Sequence, residues 1–154
     1  MILVIQRVLS ASVTVEGEKV ADSAEGLLLL LGVSSEDNEE DAKLLADKVS
    51  KLRIFCDEND KMNKSICDIG GTVTVVPNFT LMASYKKGNR PDYMRGASPD
   101  EANRLFEYFC DYIGDIVPRT QRGIFKADMK VELINDGPVT IVMDSRVLRG
   151  ERDV

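Results

Sequence analysis

Short apolar runs separated by turn residues fill the first third of the chain and predict β-strands. We predict strands over residues 2–9, 11–15 and 26–33, with a turn at residues 16–18. Strand structure resumes at residues 53–55, and residues 72–82 form the longest β-prone run of the central section. Residues 1–5 lack a basic segment and a small-residue cleavage site, so we interpret them as part of the first strand and not as a signal peptide.

Two segments show the apolar spacing of amphipathic helices. Residues 38–52 form the first, and acidic residues fill its first turn. The second begins with Ser98 as the N-cap, Pro99 at the first helical position and Glu101 completing a capping box. Its predicted apolar face consists of Ala102, Leu105, Phe106, Phe109 and Ile113. We expect the chain to return to strands after Gly114.

These elements predict one domain of the α/β class, with mixed α+β character and two main helices, over residues 1–154. The charged residues 149–154 are predicted to form a loose tail. No apolar run approaches the roughly 18 residues that span a bilayer, so no membrane partner is expected.

Composition narrows the possible chemistry. Twenty basic against twenty-six acidic residues give a net charge of −6, so any nucleic-acid contact must be local. The chain has no histidine, which removes Ser-His and Cys-His nucleophiles and His-ligated metal sites. The cysteines Cys56, Cys67 and Cys110 are widely spaced and odd in number, which fits neither a disulfide framework nor a zinc site. We predict a cytoplasmic protein without a metal or cofactor.

Two segments are candidates for chemistry. Pro77 interrupts a β-prone run and predicts an edge or bulge, where the backbone N–H groups of Phe79 and Thr80 are available to an oxyanion. The alternative is that Thr80 is an ordinary strand residue. Residues 135–140 contain Gly137-Pro138 and predict the tip of a hairpin between strands at 129–134 and 139–143. The alternative is a turn that only reverses the chain.

A basic loop follows the first of these segments. Lys86, Lys87, Arg90 and Arg95, set against Asp92, give it a local charge of +3, and two tyrosines are interleaved. Such a loop suits a phosphate or an RNA end, with aromatic rings available for base stacking. A solvated loop without a ligand is the alternative.

Taken together, the chain resembles the D-aminoacyl-tRNA deacylase family, also called D-tyrosyl-tRNA deacylase. The resemblance rests on ordered matches along nearly the whole chain. They are Arg7-Val8 with Ala11 and Val13, Leu52-Arg53-Ile54-Phe55, Lys61-Met62-Asn63, Asn78-Phe79-Thr80-Leu81, Lys87-Gly88-Asn89-Arg90-Pro91, Ala127-Asp128-Met129 and Asn135-Asp136-Gly137-Pro138-Val139-Thr140. The resemblance implies β/β/α layers, a homodimer, and hydrolysis of the ester that joins a D-amino acid to the 3′ end of tRNA.

The resemblance also implies roles for individual residues. Gly137 and Pro138 are expected to form a cis Gly-Pro gate that enters the partner subunit's site and excludes L-amino acids, with Arg7 orienting it. Asn78, Phe79 and Thr80 are expected to face the scissile carbonyl, and Met129 to contact the substrate. Lys86, Lys87 and Arg90 are expected to bind tRNA. The terminal 2′-OH of the tRNA is expected to assist the chemistry, which fits a chain without histidine.

One departure concerns Pro77-Asn78, where the family usually has Ser-Gln. Asn keeps the amide but is shorter by one methylene, and Pro77 is closer to a related deacylase that clears L-alanine from mischarged tRNA. Residues 135–140 follow the D-specific pattern, so we predict D-specific editing with glycine on tRNA-Ala as a further substrate. The alternatives are the L-alanine deacylase and a non-catalytic module that binds RNA ends.

Overall fold

The structure, a computed structural model, describes residues 1–151 of the chain and is organised by its first strand. The strands are β1 (Ile2–Val15), β2 (Glu18–Ser23), β3 (Gly26–Gly32), β4 (Phe55–Cys56), β5 (Met62–Lys64), β6 (Thr72–Pro77), β7 (Thr120–Arg122) and β8 (Met129–Asp144). Strand β1 runs through Ser10 without a break, where the sequence predicted two strands. One edge of β1 pairs first with β3 and then with β2, and its other edge pairs with β8.

The helices are α1 (Glu39–Ser50), α2 (Pro99–Ile116), α3 (Ser145–Leu148) and a short 3-10 helix (Phe79–Met82). Helix α1 follows β3 and α2 follows the 3-10 helix, so β3, β6 and β7 are parallel neighbours. The N-cap Ser98 of α2 is confirmed, because its hydroxyl accepts a hydrogen bond from the Glu101 backbone. The Glu101 carboxylate, however, pairs with Arg104 instead of completing a capping box.

Helix α2 continues two residues beyond Gly114, to Ile116, and the chain then returns to strands at β7, as expected. An internal glycine weakens a helix by roughly 1 kcal/mol. The complete burial of Ile113 offsets this cost, and the Val117 N–H closes the helix on the Ile113 carbonyl. The helix therefore ends at Ile116, where its apolar face ends.

Two apolar cores separate three layers, which confirms the mixed α/β single domain. One core lies between the sheet and the helices, and it joins Leu29 and Val75 to Leu45 and Phe106. The other lies on the opposite face of the sheet. It consists of Val8, Ala11, Val13, Ala21, Leu28 and Val76, with Leu30, Met129, Val131 and Leu133 packed against them. The second half of β1, with β2 and the start of β8, thus forms a second β layer over β3 and β6.

Strand β8 is a single strand of 16 residues, so the predicted hairpin is wrong. Both halves of β8 run antiparallel to β1, from the pair Val15–Met129 to the pair Ile2–Asp144. A Gly-Pro pair is compatible with a bulge inside a strand as well as with a turn that reverses the chain. Strand β1 is long enough to pair with β8 on both sides of this bulge. Residues 136–139 therefore form a bulge and not a turn.

Two smaller expectations are refined. Strand β6 lies between β3 and β7, but its pairing with β7 stops at Val75, so Pro77 ends the strand with a partner on the β3 side alone, as an edge position requires. Arg149, predicted in a loose tail, caps α3 and pairs with the Asp41 carboxylate at 3.1 Å. Residues 152–154 of that predicted tail lie outside the described residues. No helix in residues 1–151 is long and apolar enough to cross a membrane.

Candidate active site

A pocket of about 710 Å³ opens between the two β layers. Its floor comes from the face of the sheet that points away from the helices, and its wall comes from the start of β8. The residues lining it are Gln6, Leu28, Leu30, Val76, Pro77, Asn78, Phe79, Thr80, Phe125, Lys126, Ala127, Asp128, Met129, Val131 and Leu133. Most of these side chains are apolar. Two of the polar ones, Asn78 and Thr80, lie at the end of β6, and the others are Gln6, Lys126 and Asp128. Such a cavity suits a nucleoside or an amino acid.

The polar end of the pocket is the start of the 3-10 helix. Because β6 ends at Pro77, residues 78–80 turn across the carboxyl end of the strand. The first N–H groups of a helix have no partner within it. Within residues 1–151, the N–H groups of Phe79 and Thr80 donate to no protein acceptor, whereas the Asn78 N–H donates to the Leu31 carbonyl at 2.8 Å. Two backbone donors are thus free at the pocket.

The Thr80 hydroxyl is engaged by its neighbour. It donates a hydrogen bond to the Asn78 side-chain oxygen at 2.5 Å. The proton of Thr80 therefore points to an amide oxygen, which is no general base, and its lone pairs remain available to a donor. This geometry fits a hydroxyl that positions a ligand better than one that attacks it.

Phe79 lines the pocket and is 61% exposed, so its aromatic ring is also open to solvent. It meets Tyr93 of the basic loop edge to face, with ring centroids 5.1 Å apart. The contact joins the pocket to the loop that carries Lys86, Lys87 and Arg90. These three side chains are exposed, and none forms an ion pair with another residue in the described range 1–151. Their charge is available to an anion.

The β8 bulge forms a second cluster. Four residues of β8, at positions 136–139, stand opposite the single residue Arg7 of β1. Arg7 is largely buried, and its guanidinium donates to the Asp136 carbonyl at 3.2 Å and to the Ile54 carbonyl at 2.7 Å. It also lies 3.2 Å from the Asp136 carboxylate. Arg7 therefore ties the bulge to the segment before β4.

Asn135 closes the base of the bulge. Its side-chain amide donates to the Thr140 hydroxyl at 2.9 Å, and its side-chain oxygen accepts from the Val139 N–H at 3.2 Å. The two ends of the bulge are thus held together by one side chain. Its tip, Gly137 and Pro138, is exposed, and the bond between these two residues is cis.

Gly137 occupies a conformation and a space that exclude a side chain. Its φ is +120°, a value that only glycine adopts readily. A Cβ atom there would lie 2.9 Å from Nη2 of Arg7 and 3.0 Å from Cγ2 of Val139. The bulge therefore presents backbone without a side chain at Gly137.

Other reactive groups are remote from the pocket. Cys110 lies in the helical core, and burial raises the pKa of its thiol to about 12, so it stays protonated. No group of three His, Cys, Asp or Glu side chains within residues 1–151 is arranged to hold a metal ion. Near the pocket, the Asp128 carboxylate is paired with Lys130 at 3.0 Å.

The structure brings some of the predicted site residues together and separates others. Asn78, Phe79, Thr80 and Met129 line one pocket. Gly137 and Pro138 meet Arg7 in the bulge and do not line the pocket of the same chain. Sequence reasoning did not assign the other lining residues to the site, and the polar ones include Gln6 and Lys126. The polarity of Gln6 inside an apolar strand is a signal for the first, and the sequence offers none for the second.

Comparisons with known proteins agree with this geometry. The family model described as D-Tyr-tRNA(Tyr) deacylase matches residues 4–144. The chain is 54% identical over 147 residues to the D-aminoacyl-tRNA deacylase of Flavobacterium johnsoniae, covering 95% of this chain and 98% of that protein. It is 55% identical over 140 residues to the enzyme of the same name from Vibrio cholerae, covering 91% and 96% of the two chains.

Solved structures share the fold. A protein named c-Myc DNA Unwinding Element Binding Protein superimposes with a TM-score of 0.89 at 35% identity, covering 94% of this chain and 98% of that chain. A probable eukaryotic D-amino acid tRNA deacylase superimposes with a TM-score of 0.81 at 14% identity, which shows the fold alone. The match of the family model over nearly the whole chain, together with these identities, shows that the chain belongs to the D-Tyr-tRNA(Tyr) deacylase family.

Proposed function

We propose that the chain hydrolyses the ester bond of D-aminoacyl-tRNA and releases the free D-amino acid and tRNA. The observation that carries this proposal is the convergence of Asn78, Phe79, Thr80 and Met129 on one pocket in a member of this family. Glycine charged on tRNA-Ala is a further substrate, because glycine has no side chain for a chiral gate to exclude. We place the reaction in the cytoplasm, where Cys56 and Cys67 remain free thiols at the surface.

The chemistry requires stabilisation of a negative oxygen. Water attacks the ester carbonyl, and the carbonyl oxygen becomes an oxyanion before the 3′ oxygen of the ribose leaves. The free N–H groups of Phe79 and Thr80 are the donors suited to that oxyanion. The neighbouring 2′-OH of the substrate assists the proton transfer, and the Thr80 hydroxyl, with its proton held by Asn78, accepts a hydrogen bond from the substrate or from water.

Chirality is tested by the bulge. Gly137 and Pro138 are exposed and do not line the pocket of their own chain, so they are free to enter the pocket of a second copy. The main chain at Gly137 and Pro138 forms a wall that leaves room for a hydrogen atom and not for a larger group. An L-amino acid would direct its side chain against that wall, whereas a D-amino acid would direct it away. Arg7 and Asn135 hold the wall in place.

An exposed apolar stripe supports a homodimer. Val142 is 67% exposed and pairs with Val4, which pairs in turn with Leu30 of β3. These three side chains cross adjacent strands on the face of the sheet that carries the pocket. Leu30 itself lines the pocket. A second copy seated on this stripe therefore lies beside the pocket that its bulge is proposed to enter.

The basic loop supplies the tRNA contact. Lys86, Lys87 and Arg90 are exposed and have no acidic partner within residues 1–151. Phosphate contacts of this kind release counterions, so binding weakens as salt rises. Replacing the three residues by Ala is expected to weaken tRNA binding and to reduce its salt dependence.

The decisive experiment compares tRNA charged with D-Tyr, L-Tyr and glycine. We expect release of D-Tyr and glycine and an intact L-Tyr ester. Equal turnover of both enantiomers would contradict the gate, and selective release of L-alanine from tRNA would favour the related deacylase. Binding of tRNA with no turnover would favour the RNA-end module. Thr80→Ala is expected to retain appreciable activity, and complete loss with an intact fold would make the hydroxyl essential.

A further inference from the structure

Lys126 is an unpaired cation in a mostly apolar pocket. It lines the pocket and is exposed to solvent. Its nearest acidic neighbour along the chain, Asp128, already accepts hydrogen bonds from Lys130 on both oxygens at 3.0 Å. Within the described part of the chain, the Lys126 ammonium takes part in no hydrogen bond or ion pair. Its charge is therefore free to bind a ligand.

The backbone holds Lys126 in an unfavourable conformation. Its φ is +64°, in the left-handed region that favours glycine. The conformation belongs to a tight turn in which the Ala127 N–H donates to the Ile124 carbonyl at 3.2 Å. The turn is fixed to β6, because the Gly123 N–H donates to the Val75 carbonyl at 2.8 Å. A residue in a strained conformation beside a pocket indicates a role in that pocket.

The geometry points to an anion as the ligand of Lys126. We propose that Lys126 binds the phosphate that joins the terminal nucleotide of tRNA to the one before it. This proposal rests on the proposed function, in which the ester lies at Phe79 and Thr80 and the terminal nucleoside fills the rest of the pocket. Every substrate brings this phosphate, whichever amino acid it carries. An ammonium on a flexible stem suits a phosphate that need not be bound in a fork geometry.

The test uses two small substrates that differ only in this group. They are 3′-O-D-tyrosyl adenosine and the same compound with a 5′-phosphate. We expect the wild-type protein to prefer the phosphorylated compound in kcat/KM by about fivefold, as suits one exposed charge pair. Lys126→Gln is expected to bring the ratio to about one, chiefly through KM. The control, Lys51→Gln, removes an exposed lysine on a different part of the chain that does not line the pocket, and it is expected to keep the preference.

A second variant separates binding from folding. Lys126→Gly relieves the left-handed conformation, so it is expected to fold at least as well as the wild type and still to lose the phosphate preference. An unchanged preference in both variants would overturn the proposal. The proposal would also be overturned if Lys126→Gln lost turnover of D-Asp-tRNA while keeping turnover of D-Asn-tRNA. Lys126 would then bind the acidic side chain of the amino acid.

A binding measurement keeps this proposal distinct from the proposed function. Calorimetric titration of adenosine and adenosine 5′-monophosphate into the same variants reports the phosphate contact without turnover. Tighter binding of the monophosphate by the wild type, lost in Lys126→Gln, supports the contact even if no ester is cleaved. Equal binding of adenosine and adenosine 5′-monophosphate by the wild type overturns the proposal even if D-Tyr-tRNA is hydrolysed.

Discussion

At the scale of single residues, Gly137 is constrained both by its backbone conformation and by its neighbours. Its φ of +120° and its contact with the Arg7 guanidinium restrict it in two independent ways. A larger residue must distort the backbone or displace Arg7, and either change moves the tip of the bulge. We propose that this tip discriminates between D- and L-aminoacyl substrates. A substitution at Gly137 is therefore expected to affect both folding and selectivity.

Gly137→Ala is therefore expected to lower the free energy of unfolding by about 1–3 kcal/mol and to reduce discrimination between D- and L-Tyr-tRNA. Urea denaturation and deacylation assays measure the two effects. Gly17→Ala is the matched control, because Gly17 also has a positive φ, of +82°, but a Cβ there meets no atom within 4 Å. A variant at Gly137 with wild-type selectivity would show that the bulge is not the gate.

The three cysteines give a prediction that follows from burial. Cys56 and Cys67 are exposed, whereas Cys110 is buried and its pKa is raised to about 12 by desolvation. Only thiolates react readily with disulfide reagents. The folded protein is expected to react with Ellman's reagent at two thiols at pH 8, and the third is expected to react only after unfolding. Rapid reaction of all three thiols would show that the helical core opens easily.

Residue-level prediction from the sequence succeeded where local chemistry decides the outcome. Ser98 is an N-cap because its hydroxyl accepts a backbone hydrogen bond, and a short motif contains that information. The position of Lys126 at the pocket had no such signal, because its turn is fixed by a hydrogen bond to β6, about fifty residues earlier in the chain. The family resemblance predicted that Asn78 and Thr80 belong to one site, and periodicity alone did not.

At the scale of elements, helix α1 depends on a buried acid. Asp41 is fully buried, accepts a hydrogen bond from the Asn38 N–H at 3.0 Å and pairs with Arg149 at 3.1 Å. One carboxylate thus completes the capping box and attaches the end of α3 to the start of α1. The sequence showed the acidic first turn but not that one of its members is internal.

Asp41→Asn is expected to destabilise the protein by about 1–3 kcal/mol, because the cap weakens and Arg149 loses its charged partner. Glu40→Gln is the control, since Glu40 is exposed in the same turn. We expect the control to stay within about 0.5 kcal/mol of the wild type in urea denaturation. Equal effects of the two substitutions would mean that only the helix dipole matters.

The elements that sequence reasoning misplaced were those fixed by distant partners. Residues 129–143 read as a hairpin because local patterns do not reveal the strand with which each half pairs. The length of β1, 14 residues, decides that both halves pair with the same strand.

At the scale of the whole molecule, we propose that each chain supplies two parts of an active site, the pocket and the bulge. The pocket and the bulge are separate, and the apolar stripe through Val4, Leu30 and Val142 lies on the pocket side of the sheet. A dimer completes the site if each bulge enters the pocket of the other copy.

Val142→Glu is expected to convert the proposed dimer to monomers and to reduce deacylation in parallel, because it places a charge in the apolar stripe. Sedimentation velocity and the deacylation assay measure both effects. Val20→Glu is the control, since Val20 is also exposed but lies on β2. A wild-type protein that is monomeric and fully active would exclude the cross-subunit gate.

The β8 bulge also limits the insertions and deletions that the protein can tolerate. Surface loops are where proteins usually tolerate inserted or deleted residues. Here both ends of the segment are hydrogen-bonded to the same strand, β1. Insertion or deletion of one residue would therefore shift the second half of β8 by one position along β1. That shift would turn Ile141 and Met143 away from the helical core against which they pack. We therefore expect the length of the segment to be as fixed as the glycine at position 137.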